Sequence, residues 1–364
     1  MPAEEGSYES NLSSCLHAKR CASAEADITG AGHSALGAAE CYRRLGRHEE
    51  AVQEFRAAAD LFMISGDVRG LAWTLLSFSN LLRQKSQFRA ALKTLSECMW
   101  LSQSCRDVGL VAYIIAGTAE TTRILGNYRL AMRQHFTAYD IFRSLDDYRG
   151  IVWALEGVGQ MYRNTGRIRE ALEYFTRAKM IATATNDLRG LAYAIKCRAE
   201  SLAGLGHSQT AVEEVLLAIR IFEGIGLKVG LGYGLKSLGD ILLAGGANEA
   251  ALGSYRRAAE VFSQANDGRG LAYTINGIGH LFGSWGAADI AAACFGYSAR
   301  YFAKSELRFG QAQNRAGMRN LEARRQLNQG QLSEIFNACH VGQIEHPLVL
   351  RGISTRFLLK VEGF

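Results

Sequence analysis

Proline is almost missing from this chain of 364 residues. Only Pro2 and Pro347 occur, so nothing from residue 3 to 346 is barred from helix by a ring. No run of about 18 apolar residues exists, which excludes a membrane span. The acidic start, Met-Pro-Ala-Glu-Glu-Gly, lacks the apolar stretch of a signal peptide. The eight cysteines form no C-x-x-C pair and carry no zinc spacing. Without a secretory signal they read as small buried apolar side chains in a reducing cytoplasm. Cys339, His340 and His346 lack a fourth ligand at a sensible spacing, so neither a metal nor another cofactor is expected. A nucleophile elbow, a phosphate loop and a metal motif are all missing, so no catalytic motif is recognised. The net charge of +6 is spread along the chain, without the clustering that nucleic-acid binding requires.

What is present is a repeat. At 48% hydrophobic and 21% charged, the chain has ample material for a core. Seven blocks recur at a spacing of forty residues, without insertion or deletion. The clearest column is Ala51, Ala91, Ala131, Ala171, Ala211, Ala251 and Ala291. Beside it runs Gly46, Gly126, Gly166, Gly206, Gly246 and Gly286, broken by Ser86. The segments between blocks also recur, as Gly-Asp-Val-Arg-Gly-Leu-Ala at 66–72 and Asn-Asp-Leu-Arg-Gly-Leu-Ala at 186–192. A period of this length specifies a solenoid, in which each unit buries its apolar face only against its neighbours. No Pro/Ser-rich linker interrupts the period, which argues for one elongated domain.

Within a block the apolar spacing is helical. Val152, Leu155, Val158 and Gly159 share one face of a first helix ending near Gly166. Ala171, Phe175, Ala178 and Ile181 then form an amphipathic stripe on a second helix. The connection is short, so the two helices are antiparallel neighbours, and each block is a helical hairpin. The fold expected is all-α: a right-handed solenoid of seven hairpins over residues 31–309. Half-unit caps are expected at 1–30 and 310–330, leaving a non-repeat tail at 331–364.

Gly159, Tyr162, Gly166, Ala171, Phe175 and Ala178 resemble the tetratricopeptide repeat, and the resemblance extends over roughly residues 30–305. The usual proline is absent. A longer second helix is expected to end in Asp-x-Arg-Gly, similar to the forty-residue repeats of the G-protein-signalling-modulator type, whose inner groove holds extended peptides. The resemblance implies that the first helix of each hairpin lines the concave face.

Four columns of that helix stand at offsets of three, four and three, on one stripe. The first reads His33, Trp73, Tyr113, Trp153, Tyr193, Tyr233, Tyr273, and the second Leu36, Leu76, Ala116, Glu156, Lys196, Lys236, Asn276. The third reads Glu40, Asn80, Glu120, Gln160, Glu200, Asp240, His280, and the fourth Arg43, Arg83, Arg123, Arg163, Ala203, Leu243, Gly283. The rings of the first column can serve as ligand contacts or as wedges between hairpins. Glu40 with Arg43 and Glu120 with Arg123 are also readable as solvated ion pairs. The arginines at 69, 149, 189 and 269 read as links between blocks. A further column, Gly37, Ser77, Gly117, Gly157, Cys197, Ser237 and Gly277, stands where peptide-binding relatives carry asparagine. Its small side chains are expected to widen the groove.

The groove changes character along the chain while the core columns stay constant. The candidate binding surface is therefore the stretch from Trp153 to His280: Trp153, Glu156, Tyr193, Lys196, Glu200, Tyr233, Lys236, Asp240, Tyr273 and His280. The function expected is a cytoplasmic scaffold that binds a peptide or protein partner there. The alternative is a small polar or aromatic ligand, bound or transformed on the same face, where a lysine among aromatics can act as base or nucleophile. In the tail, Leu348–Ile353 and Arg356–Val361 are apolar enough for strands. That segment has three places to go: back onto the last hairpins, into the groove, or onto a second subunit as a homodimer contact.

Overall fold

The computed structural model describes residues 7–325, which form sixteen helices joined by short turns. They are α1 (Tyr8–Ala24), α2 (Ile28–Arg44), α3 (His48–Ser65), α4 (Val68–Gln84), α5 (Phe88–Cys105), α6 (Val108–Ile124), α7 (Tyr128–Ser144) and α8 (Tyr148–Asn164). They continue as α9 (Ile168–Ala184), α10 (Leu188–Gly204), α11 (Ser208–Gly224), α12 (Lys228–Ala244), α13 (Asn248–Gln264), α14 (Gly268–Ser284), α15 (Ala288–Lys304) and α16 (Arg308–Arg325). The helices α2 to α15 pair into the seven expected blocks, and the architecture is an all-α helical-repeat solenoid. Cys339, His340, His346 and the tail at 331–364 lie outside the described residues.

The structural period is half the sequence period. A left-handed residue recurs every twenty positions, from Ala26 and Gly46 through to Gly286 and Glu306. Each one ends a helix and turns the chain back, as a short polar or glycine residue does at a C-terminal cap. The second helix of a hairpin consequently exceeds the first by one residue at most; both run to 17 or 18 residues. Asp-x-Arg-Gly opens the next first helix instead of ending the second. Its aspartate is the N-cap: the Asp67 carboxylate accepts from the Gly70 N–H at 2.9 Å, and Asp27, Asp147, Asp187 and Asp267 repeat the bond.

The glycine of that motif is set by packing. A Cβ on Gly70, Gly150 or Gly270 would lie 2.4, 2.2 or 2.2 Å from the ring of Phe62, Phe142 or Phe262, the buried phenylalanine ending the preceding second helix. The Ala51-to-Ala291 column is fully buried throughout, where small side chains let helix backbones approach. The Gly37-to-Gly277 column is likewise filled from outside its own block. A Cβ on Gly157 would meet the His135 ring at 2.2 Å, and one on Gly277 the Tyr255 ring at 2.9 Å. Those small residues therefore do not widen the groove. They receive side chains from the second helix of the preceding block.

Successive turns of the solenoid touch. The Tyr8 N–H donates to the Ile225 carbonyl at 3.3 Å, the Ser86 and Tyr301 hydroxyls meet at 2.9 Å, and Arg89 pairs with Glu306 at 2.8 Å. Gly46 presses on Ala265: a Cβ there would lie 2.6 Å from the Ala265 Cα. Tyr8, Leu12 and Leu45 share a core with Ile195, Phe222 and Ile225, and Phe88 and Ile124 share another with Phe302 and Leu307. The Ser86–Tyr301 and Arg89–Glu306 partners are separated by 215 and 217 residues, between five and six blocks. The solenoid thus coils back on itself, and its turns close on one another.

Candidate functional site

The first-column tyrosines pack on the phenylalanines of their own hairpins, edge-on in three blocks and tilted at Tyr273. Tyr113 meets Phe142, Tyr193 meets Phe222, Tyr233 meets Phe262 and Tyr273 meets Phe302, with centroids 4.8–5.0 Å apart. Where the partner position is small, as at Ser102 and Ala182, the first column carries Trp73 and Trp153. Ring size therefore alternates to keep the volume filled. This role was present in the sequence as paired columns 62–302 and 33–273, and reading either column alone hides it.

In the first three blocks these side chains also reach forward. His33 approaches the Asp67 carboxylate at 3.5 Å, and the Trp73 indole N–H donates to Asp107 at 3.3 Å. Arg69 joins the same Asp107 at 2.7 Å, so it does link one block to the next. Further along, the pattern loosens. Arg269 donates to the Tyr233 hydroxyl at 3.0 Å, and one oxygen each of the buried Asp187 and Asp267 carboxylates has no hydrogen-bond partner. Burial pushes the Asp267 carboxyl above its usual range.

The polar columns form local pairs. Arg43 grips Glu40 through two hydrogen bonds, at 2.7 and 3.1 Å, and Arg123 grips Glu120 at 2.5 and 2.8 Å. Burial alone would raise both carboxyls, but the guanidiniums bring each down to about 2. Glu200 gathers Lys196 at 2.9 Å, the Ser237 hydroxyl and Arg163. Asp240 takes Lys236 at 2.5 Å and the hydroxyl of the fully buried Tyr255 at 2.8 Å. Burial lowers the Lys196 ammonium, and it lowers the His280 imidazole, whose ring packs on Phe295. Two of the expected anchor pairs, Lys196–Glu200 and Lys236–Asp240, are therefore occupied with each other.

Glu156 is the exception among them. Its Oε1 is sealed from solvent without a partner, and burial pushes the carboxyl up to about 8, with Arg189 opposing the shift. Trp153 stands one turn away on the same helix, 6.0 Å from the Tyr113 ring.

A second polar group escaped the sequence reading. His135 occupies the apolar column Phe55, Leu95, His135, Phe175, Val215, Tyr255, Phe295; it is completely buried and neither ring nitrogen has a partner. Burial lowers its imidazole to about 4, with Glu120 pulling the other way. A lone histidine in a column of phenylalanine, leucine and valine was the available signal. Among the described residues no group of three or more His, Cys, Asp or Glu side chains could hold a metal ion, and no helix is long and apolar enough to cross a membrane.

Two family models describing the tetratricopeptide repeat match residues 33–102 and 154–185. No curated protein sequence matches the chain significantly. Among solved structures, a Rap protein complexed with competence and sporulation factor superposes with a TM-score of 0.55 at 16% identity, covering 92% of this chain and all of that one. The apo form of RapI gives 0.54 at 15% identity, covering 71% and 93%. The tetratricopeptide sensor protein PH0952 from Pyrococcus horikoshii, a signal-transduction ATPase with numerous domains, gives 0.52 at 15%, covering 95% and 53%. At such identities the likeness is one of fold. The repeat columns and the family matches show that the chain carries tetratricopeptide repeats, and the likeness adds that the solenoid fold is shared.

Proposed function

We propose that this protein is a non-enzymatic scaffold that binds a peptide or protein partner along the concave face of blocks four to seven. Its half-unit helices α1 and α16 serve as caps. The observation that carries this reading is the pair of orphaned carboxyl oxygens, Glu156 Oε1 and Asp187 Oδ2, in an interior whose other charges are mostly paired within the chain. Buried polar atoms without partners destabilise the empty protein, and a partner's hydrogen-bonding groups would satisfy them. Tyr193, Tyr233 and Tyr273 would add rigid contact area, and Lys236 with Asp240 would exchange their mutual pair for bonds to the partner. The Rap protein solved with competence and sporulation factor has the same fold, which supports the choice of a partner-binding role.

The test is quantitative mass spectrometry of proteins, peptides and small molecules that co-purify from the native host. Wild type is compared with two double variants, Tyr193→Ala with Tyr233→Ala and Lys236→Ala with Asp240→Ala. Loss of a stoichiometric protein or peptide from both folded variants supports the groove. Undiminished recovery excludes it, and a stoichiometric metabolite would replace this reading with a small-molecule site.

A further inference from the structure

We propose that Arg83 is the docking point for one carboxylate of the partner, on the inner wall of block two. This deepens the groove-binding reading and rests on it, but it places the anchor for negative charge outside blocks four to seven.

The argument starts from the arginine ladder. Arg43 and Arg123 each hold the glutamate three residues before them, and Arg163 pairs with Glu200. Before Arg83 the same position is Asn80, which cannot neutralise it. The Arg83 side chain makes no hydrogen bond or ion pair with any described residue, and its Nη1 is sealed from solvent without a partner. An arginine is rarely left so, because the two N–H groups on its sealed Nη1 lose water without compensation, although the residue as a whole is only partly buried.

The surroundings fix the chemistry of what is missing. Four charged groups act on Arg83: Glu120, Arg269, Arg43 and Arg123. Both oxygens of Glu120 already bond Arg123, and Arg43 is held by Glu40. Arg269 approaches from α14 in block seven, with its own Asp267 and Tyr233 nearby. Each of these guanidiniums has a carboxylate partner or neighbour, Glu40 being shared by Arg43 and Arg44, and Arg83 alone has no partner for its side chain. Burial and the neighbouring guanidiniums bring its pKa down to about 10, so it remains charged at neutral pH. One unpartnered charge on a planar fork matches a planar monoanion, a carboxylate, better than a phosphate dianion. Because α4 and α14 belong to different turns of the coil, an anion held there would also bridge the turns.

Three short probes distinguish the sources of such a carboxylate: Ac-Gly-Glu-Gly-amide, its isostere Ac-Gly-Gln-Gly-amide, and Ac-Gly-Gln-Gly with a free C-terminal carboxyl. Binding is read by isothermal calorimetry and thermal shift on wild type, Arg83→Met, Arg83→Lys and the exposed control Arg133→Met. The expected result is that at least one carboxylate probe binds wild type and Arg133→Met, while the neutral amide does not. Arg83→Met should weaken that probe by about tenfold or more, and Arg83→Lys by less. The probe that binds identifies the source as a side chain or a chain terminus.

A second arm needs no ligand. Removing an uncompensated buried charge should raise the melting temperature of the empty protein in Arg83→Met by about 2 °C or more. A lower melting temperature would make Arg83 structural and overturn the proposal. Equal binding of acidic and neutral probes, unchanged binding by Arg83→Met, or no binding of either carboxylate probe to wild type would overturn it too. A host partner retained by Arg83→Met would sink this site and leave the groove reading standing. Specific carboxylate binding without any protein partner would do the reverse.

Discussion

Replacing His135 with leucine should stabilise the protein and remove part of its acid sensitivity. The imidazole is completely enclosed, with one donor and one acceptor nitrogen unpartnered. Each orphaned polar group costs about 1–3 kcal/mol. The leucine has a precedent one block earlier, where Leu95 lies on Gly117 as His135 lies on Gly157. At neutral pH the gain should be about 1–3 kcal/mol, with part of the polar-burial gain offset by imperfect packing.

The pH dependence is the sharper signature. Burial holds the folded imidazole at about 4 against an ordinary 6.5, so the unfolded chain binds the proton first. Stability is therefore intact above about 6.5 and falls as the pH drops towards 4, by about 3 kcal/mol in all. Urea unfolding followed by circular dichroism at pH 7.5, 5.5 and 4.5 measures both effects, and the difference between variant and wild type isolates His135 from other titrating groups. A His135→Leu protein that is less stable at pH 7.5, or whose advantage does not grow between pH 6.5 and 4, would refute the reasoning.

Glu156 should act with the opposite sign: its folded carboxyl holds a proton up to about 8, so stability falls as pH rises from 4.5 to 8, and Glu156→Gln should flatten that loss in the same assay. Trp153 and Ala182 should be coupled through the volume they share. Trp153→Tyr and Ala182→Phe should each destabilise, while the double variant, which copies Tyr193 and Phe222, should recover at least about 0.5 kcal/mol of coupling in a double-mutant cycle. Ala171→Leu should overpack two backbones at a fully buried position and cost about 1–3 kcal/mol, weakening neighbouring blocks in hydrogen exchange as well.

The hairpins were legible because their constraints repeat at fixed residue types: glycine where a first helix ends, alanine where backbones approach. The twenty-residue period was not legible, because the left-handed residue between blocks varies from Ala26 to Arg106, Asp146, Asn186 and Glu306. Its conformation recurs while its identity does not. Closure of the coil was hidden for another reason: Tyr8 with Ile225 and Gly46 with Ala265 are single contacts between distant turns, with no pattern of their own. Within the candidate site, the polar columns were visible as residue types, but their pairing was not. That Lys236 holds Asp240, whereas Arg83 holds nothing, depends on side-chain positions that spacing alone does not determine.

The central claim, that the partner sits inside the coil, is tested most directly by site-specific photo-crosslinking in the native host. A benzophenone amino acid is placed in turn at Tyr233 on the inner face and at Trp100, a highly exposed residue of α5. The account predicts a defined protein or peptide adduct from position 233 and none from position 100. Adducts from position 100 alone would contradict it.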